Sequence, residues 1–291
     1  MREKEAKTVL SPQNGMNIYR GCTFGCLHCD PRAKCYRNTG EFEDVEVKIN
    51  AIALLEKSLR SKRRHCMIGV GSMSDPYQPL EEDLQMMRKS LELINYYGYG
   101  VCIETRSDLV CRDIDYLSNI NEKAKCVVVM GICAAADELS ARLEPKAPVT
   151  SKRVEALKKL SEAGIQTVVE ISPLLPFIND NEDNLRGILE IAAETKAYGV
   201  LCEKIGIIVK NGSREWFYEN LEKTFPDLLE DYRRVYGEDQ DLISQGNEWL
   251  MRILRDFCRE HQIICDAERL HTYLRGFEDK LAGEQISLML A

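Results

Sequence analysis

The chain has 291 residues, 44% of them hydrophobic and 30% charged, the make-up of an ordinary soluble globular protein with ample material for a core. A net charge of −8 argues against avid nonspecific binding to nucleic acid. No apolar run approaches the roughly 20 residues of a membrane span, and the charged N-terminus MREKEAKTVLSPQNG lacks the apolar stretch of a secretory signal, so a cytoplasmic location without membrane contact is expected.

The predicted elements alternate between strand and helix. A first strand, MNIYR (16–20), leads directly into GCTFGCLHCD (21–30), where Cys22, Cys26 and Cys29 are spaced C-x3-C-x2-C. A helix over 45–63 follows, then a buried strand CMIGVG (66–71) and a helix over 80–98 closed by Gly98. GVCIET (100–105) reads as a third strand with a helix around 112–123, and AKCVVVMGI (124–132) as a fourth strand. TSKRVEALKKLSEAG (150–164) is a helix with Thr150 as N-cap and Gly164 at its C-terminal end. A fifth strand lies in 165–176, a helix in 181–197 and a sixth strand in 198–209.

Six β/α units in series call for a mostly parallel sheet with helices outside it, an α/β partial (β/α)6 TIM-type barrel. From 211 the pattern changes to helices with acidic, aromatic-containing faces, so the expected division is a barrel over 1–210 and a helical C-terminal extension over 211–291 packed on it. In such a barrel the site lies at the C-terminal ends of the strands. The loops there are GCTFGCLHC, GSMSDPYQPLEE, TRSDLVCRD, RLEPKAP and SPLLPFINDN, rich in polar and turn-forming residues that a core does not need.

Of the twelve cysteines, most sit in apolar runs and read as reduced core thiols. The three in the first loop differ. Closed structural zinc sites take four ligands, whereas three cysteines on one short loop can hold three irons of a four-iron cluster and leave the fourth open for chemistry. A zinc knuckle is the bland alternative.

GCTFGCLHC is the cysteine signature of the radical S-adenosylmethionine (SAM) enzymes. Taken with GSMSDPYQPLE, RSDLVCRDIDYL, RLEPKAP and LPFINDN, in order from about residue 14 to 210, it resembles the spore photoproduct lyase-like branch of that superfamily. The resemblance implies a partial barrel, a [4Fe–4S] cluster held by Cys22, Cys26 and Cys29, and SAM chelating the open iron. One electron from the cluster then breaks a sulfonium C–S bond and yields a 5′-deoxyadenosyl radical that takes hydrogen from a substrate.

By the same resemblance His28 stands where relatives have an aromatic residue near the adenine, with binding of a metal as its other reading. Ser72, Ser74 and Asp75 would accept from the SAM ammonium, although Asp75 before Pro76 also suits a plain turn. Arg106 and Ser107 match the relatives' Lys-Ser facing the methionine carboxylate, where an arginine keeps the charge and adds a bidentate fork. Glu104 is a further polar rim residue. Arg142 and Glu144 either pair with one another or reach the ligand, and Ser172 with Pro173 would shape the adenine pocket. Gly21 and Gly25 would let the loop wrap closely around the cluster.

The likeness stops at two points. Spore photoproduct lyases carry a hydrogen-returning cysteine just after the second strand, and GVGSMSDP has none. Cys35, six positions past the last ligand, is a candidate catalytic residue, as a hydrogen donor or a substrate contact, with a protected loop thiol as the plain alternative. The leading expectation is a radical SAM enzyme, lyase or oxidoreductase, acting on an unidentified substrate with an electron donor such as flavodoxin or ferredoxin. DNA lesion repair, with nucleic acid as partner, and a non-catalytic metal-binding scaffold or redox sensor are the alternatives.

Overall fold

The computed structural model describes residues 1–36 and 41–281. Its centre is one parallel sheet of six strands in sequential order, β1 (Gly15–Met16), β2 (Met67–Val70), β3 (Gly100–Thr105), β4 (Cys126–Ile132), β5 (Gln166–Ile171) and β6 (Gly199–Leu201). With β1 and β6 at opposite edges, the sheet is an open, partial TIM-type barrel with helices outside. The continuous apolar run CVVVMGI in β4 is buried along its whole length, as a strand covered on both faces requires. Alternate side chains serve the two faces. Val128, Met130 and Ile132 join the large outer core, while Val127 and Val129 join a smaller cluster on the concave side.

The outer layer consists of α1 (Ala51–Ser61), α2 (Met86–Tyr96), α3 (Ile114–Lys123), α4 (Thr150–Glu162) and α5 (Glu182–Glu194), one between each pair of successive strands. Each turns an apolar stripe inward, for example Leu55 and Leu59 of α1 and Leu185, Ile188 and Leu189 of α5.

Several boundaries differ from the sequence reading. The predicted first strand splits: Gly15–Met16 pairs with β2, while Tyr19–Arg20 leaves the barrel and pairs antiparallel with Glu46–Lys48, itself parallel to Arg2–Lys4. The predicted helix over 45–63 therefore starts only at Ala51, because Glu46–Lys48 is taken into a strand between Arg2–Lys4 and Tyr19–Arg20. The helix over 80–98 breaks at Gln85, whose φ is 51°. There the buried Glu81 carboxylate accepts the N–H groups of Met86 (3.0 Å) and Met87 (2.9 Å) and caps α2 from within. Thr150 is the first helical residue rather than the cap, and its hydroxyl donates to the Ala134 carbonyl at 2.6 Å. Of the sixth predicted strand only Gly199–Leu201 enters the barrel; Gly206–Ile208 pairs antiparallel with Asp241–Ile243.

Beyond the barrel lie α6 (Ser213–Thr224), α7 (Leu229–Tyr236), α8 (Asn247–Glu260) and α9 (Ala267–Arg275). They join three different parts of the interior. Phe217, Leu221, Tyr232 and Tyr236 pack with Leu27, Leu143 and Leu175 near the rim. Leu250, Leu254 and Cys258 of α8 join the outer core. Leu270 and Leu274 of α9 cover the concave face beside Cys102, Val127 and Val168. The final residues, 282–291, lie outside the described part of the chain. No helix among the described residues is long and apolar enough to cross a membrane.

Leu254 is fully buried, so Leu254→Ala is expected to cost about 2–5 kcal/mol of stability. Urea denaturation followed by circular dichroism measures this, and a loss under about 1 kcal/mol would show that α8 is only loosely attached.

Candidate functional site

The loops at the C-terminal ends of the strands enclose a cavity of about 220 Å³ lined by Cys22, Cys26 and Cys29 with Ser72, Ser74, Asp75, Glu104, Arg106, Glu170 and Ser172. The cysteine loop reaches it through a tight turn. Gly21 has φ +90°, and a Cβ there would lie 2.2 Å from the Phe42 carbonyl oxygen, so no side chain fits. Gly25 also takes a positive φ, +69°. All three thiols are free. Burial, reinforced by Asp75, pushes Cys22 up to about 12. Burial likewise raises Cys26 and Cys29, against the pull of Arg106 on both and of Arg32 on Cys29. Three neighbouring thiols kept protonated by burial are suited to a metal centre that replaces their protons and neutralises their charge.

A buried ionic network holds this loop. The Glu144 carboxylate meets His28 Nε2 at 3.0 Å, Arg106 Nε at 2.7 Å and Arg153 Nη2 at 2.5 Å. Burial opposes its charge, but Arg153, the His28 hydrogen bond and Arg106 together hold its carboxyl well below the usual range. Burial lowers His28, although Glu144 partly offsets this. Arg153 also donates to the Pro148 and Gly131 carbonyls, at 2.8 Å each. Cys26, His28 and Glu144 bring three ligand-type atoms within 4.8 Å of one another. Glu144 is already paired with two guanidinium groups, and this favours the ionic role over metal ligation.

Asp75 locks the second and third loops together. It accepts from Thr105 Oγ1 (2.8 Å), from the Arg106 N–H (2.7 Å) and from the Tyr77 N–H (2.9 Å). Ser74 donates to the Gly21 carbonyl, and the buried Gln78 amide donates to the same carbonyl (3.3 Å) and to Ser74 Oγ (3.1 Å). Arg106 Nη2 reaches the Ser172 carbonyl at 3.3 Å and its hydroxyl at 3.4 Å, and Nη1 has no protein partner among the described residues.

The extension contributes to the loop as well. Trp216 of α6 donates its indole N–H to the Cys26 carbonyl at 2.9 Å. Arg32 lies 3.4 Å from the centre of the Trp216 ring system and 4.6 Å from that of Phe42, a cation between two aromatic faces.

Residues 16–189 match the family model of the Radical SAM superfamily. The chain belongs to that superfamily. It is therefore an enzyme whose cofactors are those of radical SAM proteins, a [4Fe–4S] cluster and SAM. An uncharacterised protein of Mycobacterium tuberculosis is 28% identical over 263 residues, 86% of this chain and 75% of the relative. One from Methanocaldococcus jannaschii is 32% identical over 217 residues, 74% of this chain and 77% of the relative. Among solved structures, spore photoproduct lyase complexed with dinucleoside spore photoproduct superposes with a TM-score of 0.63 at 17% identity, covering 89% of this chain and 77% of the lyase. At that identity the likeness concerns the fold.

Among the sequence candidates of this radical SAM protein, the structure brings the three cysteines, His28, Ser72, Ser74, Asp75, Glu104, Arg106 and Ser172 to one cavity wall. Glu144 stands behind that wall. Three other candidates fall elsewhere. Cys35 is exposed and does not line the cavity, because the turn at Lys34 is tied outward to the Asn211 carbonyl of the extension. Arg142 faces away from it, donates to the Thr224 carbonyl at 2.8 Å and lies over the Phe225 ring. Ser107 Oγ accepts the Leu109 N–H at 3.3 Å and borders a separate cavity with Phe24 and Tyr77.

Sequence reasoning missed Glu170, Gln78 and Arg153. Glu170 sits on β5 facing the same side as Glu104 on β3, and strand alternation from Val168 was the available signal. Neither Glu104 nor Glu170 has a hydrogen-bond or ion-pair partner among the described residues. Burial, then repulsion from Glu170, raises Glu104 to about 7. The folded chain thus holds a proton on Glu104 that the unfolded chain releases near 4.5, so the contribution of this group to stability is lost as pH rises from about 4.5 to about 7 and does not change further above. The loss is at most about 3–4 kcal/mol. Denaturation midpoints at the two ends of this window should lie closer together in Glu104→Gln than in wild type, and an unchanged slope in that variant would contradict the assignment.

Proposed function

We propose that Cys22, Cys26 and Cys29 hold three irons of the [4Fe–4S] cluster and that SAM occupies the cavity beside them, its radical abstracting hydrogen from a substrate still to be identified. The observation that carries this is the convergence of three free thiols, Cys26 buried and Cys22 and Cys29 partly so, on a cavity whose other walls bring a guanidinium, hydroxyls and carboxylates. When bound, the cluster supplies the electron that cleaves SAM to methionine and the 5′-deoxyadenosyl radical. The protein's own part is binding and orientation. Arg106, anchored by Glu144 and Ser172, has a free Nη1 for the methionine carboxylate. Ser72 and Ser74 offer oxygens to the ammonium, and the two unpaired acids, Glu104 and Glu170, suit hydroxyl groups or a cation. Asp75, held by three hydrogen bonds, fixes the backbone that presents Arg106 and keeps an acceptor site on Oδ2 for the ammonium.

In this reading residues 1–210 carry the chemistry and the extension braces the cluster loop through Trp216 and Arg32. An external one-electron donor such as a flavodoxin or ferredoxin would reduce the cluster. The segment Gly71–Asp75 offers no thiol to return hydrogen to a product radical, and the acidic net charge of −8 disfavours a DNA duplex. Both favour a substrate other than a DNA lesion.

The test is anaerobic reconstitution with iron and sulfide. Wild type should carry about four irons per chain and, after reduction with dithionite, show a cluster signal by electron paramagnetic resonance that changes when SAM is added. Cys22→Ala, Cys26→Ala and Cys29→Ala should each lose that response. Full iron loading and an unchanged signal in the three variants would refute the ligand assignment.

A further inference from the structure

Another pocket, of about 260 Å³, shares Met73 in its lining with the cysteine cavity. Its wall is the small N-terminal sheet. In the strand register Lys4 stands beside Lys48, and Arg20 stands opposite Glu46, which places the four side chains on one face. All four line the pocket. Glu46 is taken by Lys4 at 3.1 Å. Arg20 and Lys48 have no carboxylate partner among the described residues: Arg20 donates to the Tyr36 carbonyl at 3.3 Å and Lys48 to the Asn17 carbonyl at 2.6 Å. Three cations against one carboxylate leave the pocket at +2 in a chain whose net charge is −8. Burial, then the neighbouring Arg20, lowers Lys48, so the two cations are held together at a cost that an anion would relieve.

We infer that this pocket binds a phosphate group of the substrate, with Arg20 and Lys48 as its ligands, so that the remainder of the molecule reaches past Met73 into the cysteine cavity. The inference rests on the reading of that cavity as the SAM site. A phosphomonoester near pH 7 carries a charge of about −1.5 to −2, which matches the surplus of the pocket. An arginine fork beside a lysine suits its oxygens. The charge of the whole chain points to a small phosphorylated molecule rather than a long nucleic acid.

The experiment is calorimetric titration of the reconstituted protein with inorganic pyrophosphate and, separately, with a dinucleoside monophosphate. Wild type should bind at least one of them, more weakly as salt rises; pyrophosphate alone indicates a terminal phosphate, and the dinucleotide indicates a phosphodiester. The Arg20→Gln, Lys48→Gln double variant should bind at least about tenfold more weakly, and Lys48→Arg, which keeps the charge, should stay within about threefold of wild type. No binding by wild type, or equal binding by the double variant, overturns the site. Iron content and the paramagnetic response to SAM, read on the same samples, report separately on the cofactor site, so a failure there is distinguishable from a failure of the phosphate pocket.

Discussion

The buried carboxylate of Glu144 is the point on which the site depends. It is almost wholly removed from solvent and meets His28 from the cysteine loop, Arg106 from the end of β3 and Arg153 from α4. Removing one charge from such a group strands the others in a poor dielectric, which costs about 3–5 kcal/mol, so the members keep each other in place. The consequence is geometric. The cysteine loop and Arg106, whose Nη1 has no protein partner among the described residues, are referenced to the same carboxylate. A cluster and a SAM carboxylate held by these two elements would therefore keep a fixed relation.

A second layer of constraint comes from outside the barrel. An open barrel leaves its cysteine loop without a neighbouring strand to cover it. Here α6 supplies that cover, through the Trp216 hydrogen bond to the Cys26 carbonyl and the stacking of Arg32 between Trp216 and Phe42. At the opposite end α9 plugs the concave face with Leu270 and Leu274. The acids Glu104 and Glu170 thus lie between an apolar floor and the rim. That position explains why burial dominates the titration of Glu104.

Much of this was legible in the sequence because period and spacing are local properties. The six strands and their helices follow from apolar runs punctuated by glycine, and C-x3-C-x2-C announces itself in any context. What was not legible depends on partners far away in the chain. V-E-V-K reads as a strand only once Arg2–Lys4 and Tyr19–Arg20 flank it. The break at Gln85 depends on Glu81 turning back to cap α2. Arg142 and Glu144, two positions apart, point in opposite directions because the short helix Asp137–Leu143 ends between them, so only one reaches the site. Cys35 looked chemically significant by its proximity in sequence, yet its turn is tied to the extension. The aromatic residues of the extension divide as well, with Phe217, Tyr232 and Tyr236 in the core and Trp216 on the cysteine loop.

Radical SAM chemistry at the three-cysteine cavity would release 5′-deoxyadenosine. Its most direct test is to reduce the reconstituted protein anaerobically with dithionite, add SAM and quantify 5′-deoxyadenosine by mass spectrometry, with the Cys22→Ala, Cys26→Ala, Cys29→Ala triple variant as control. Wild type should yield 5′-deoxyadenosine and the triple variant none above background. Bound zinc with no iron in the anaerobically prepared protein, and no 5′-deoxyadenosine, would contradict it.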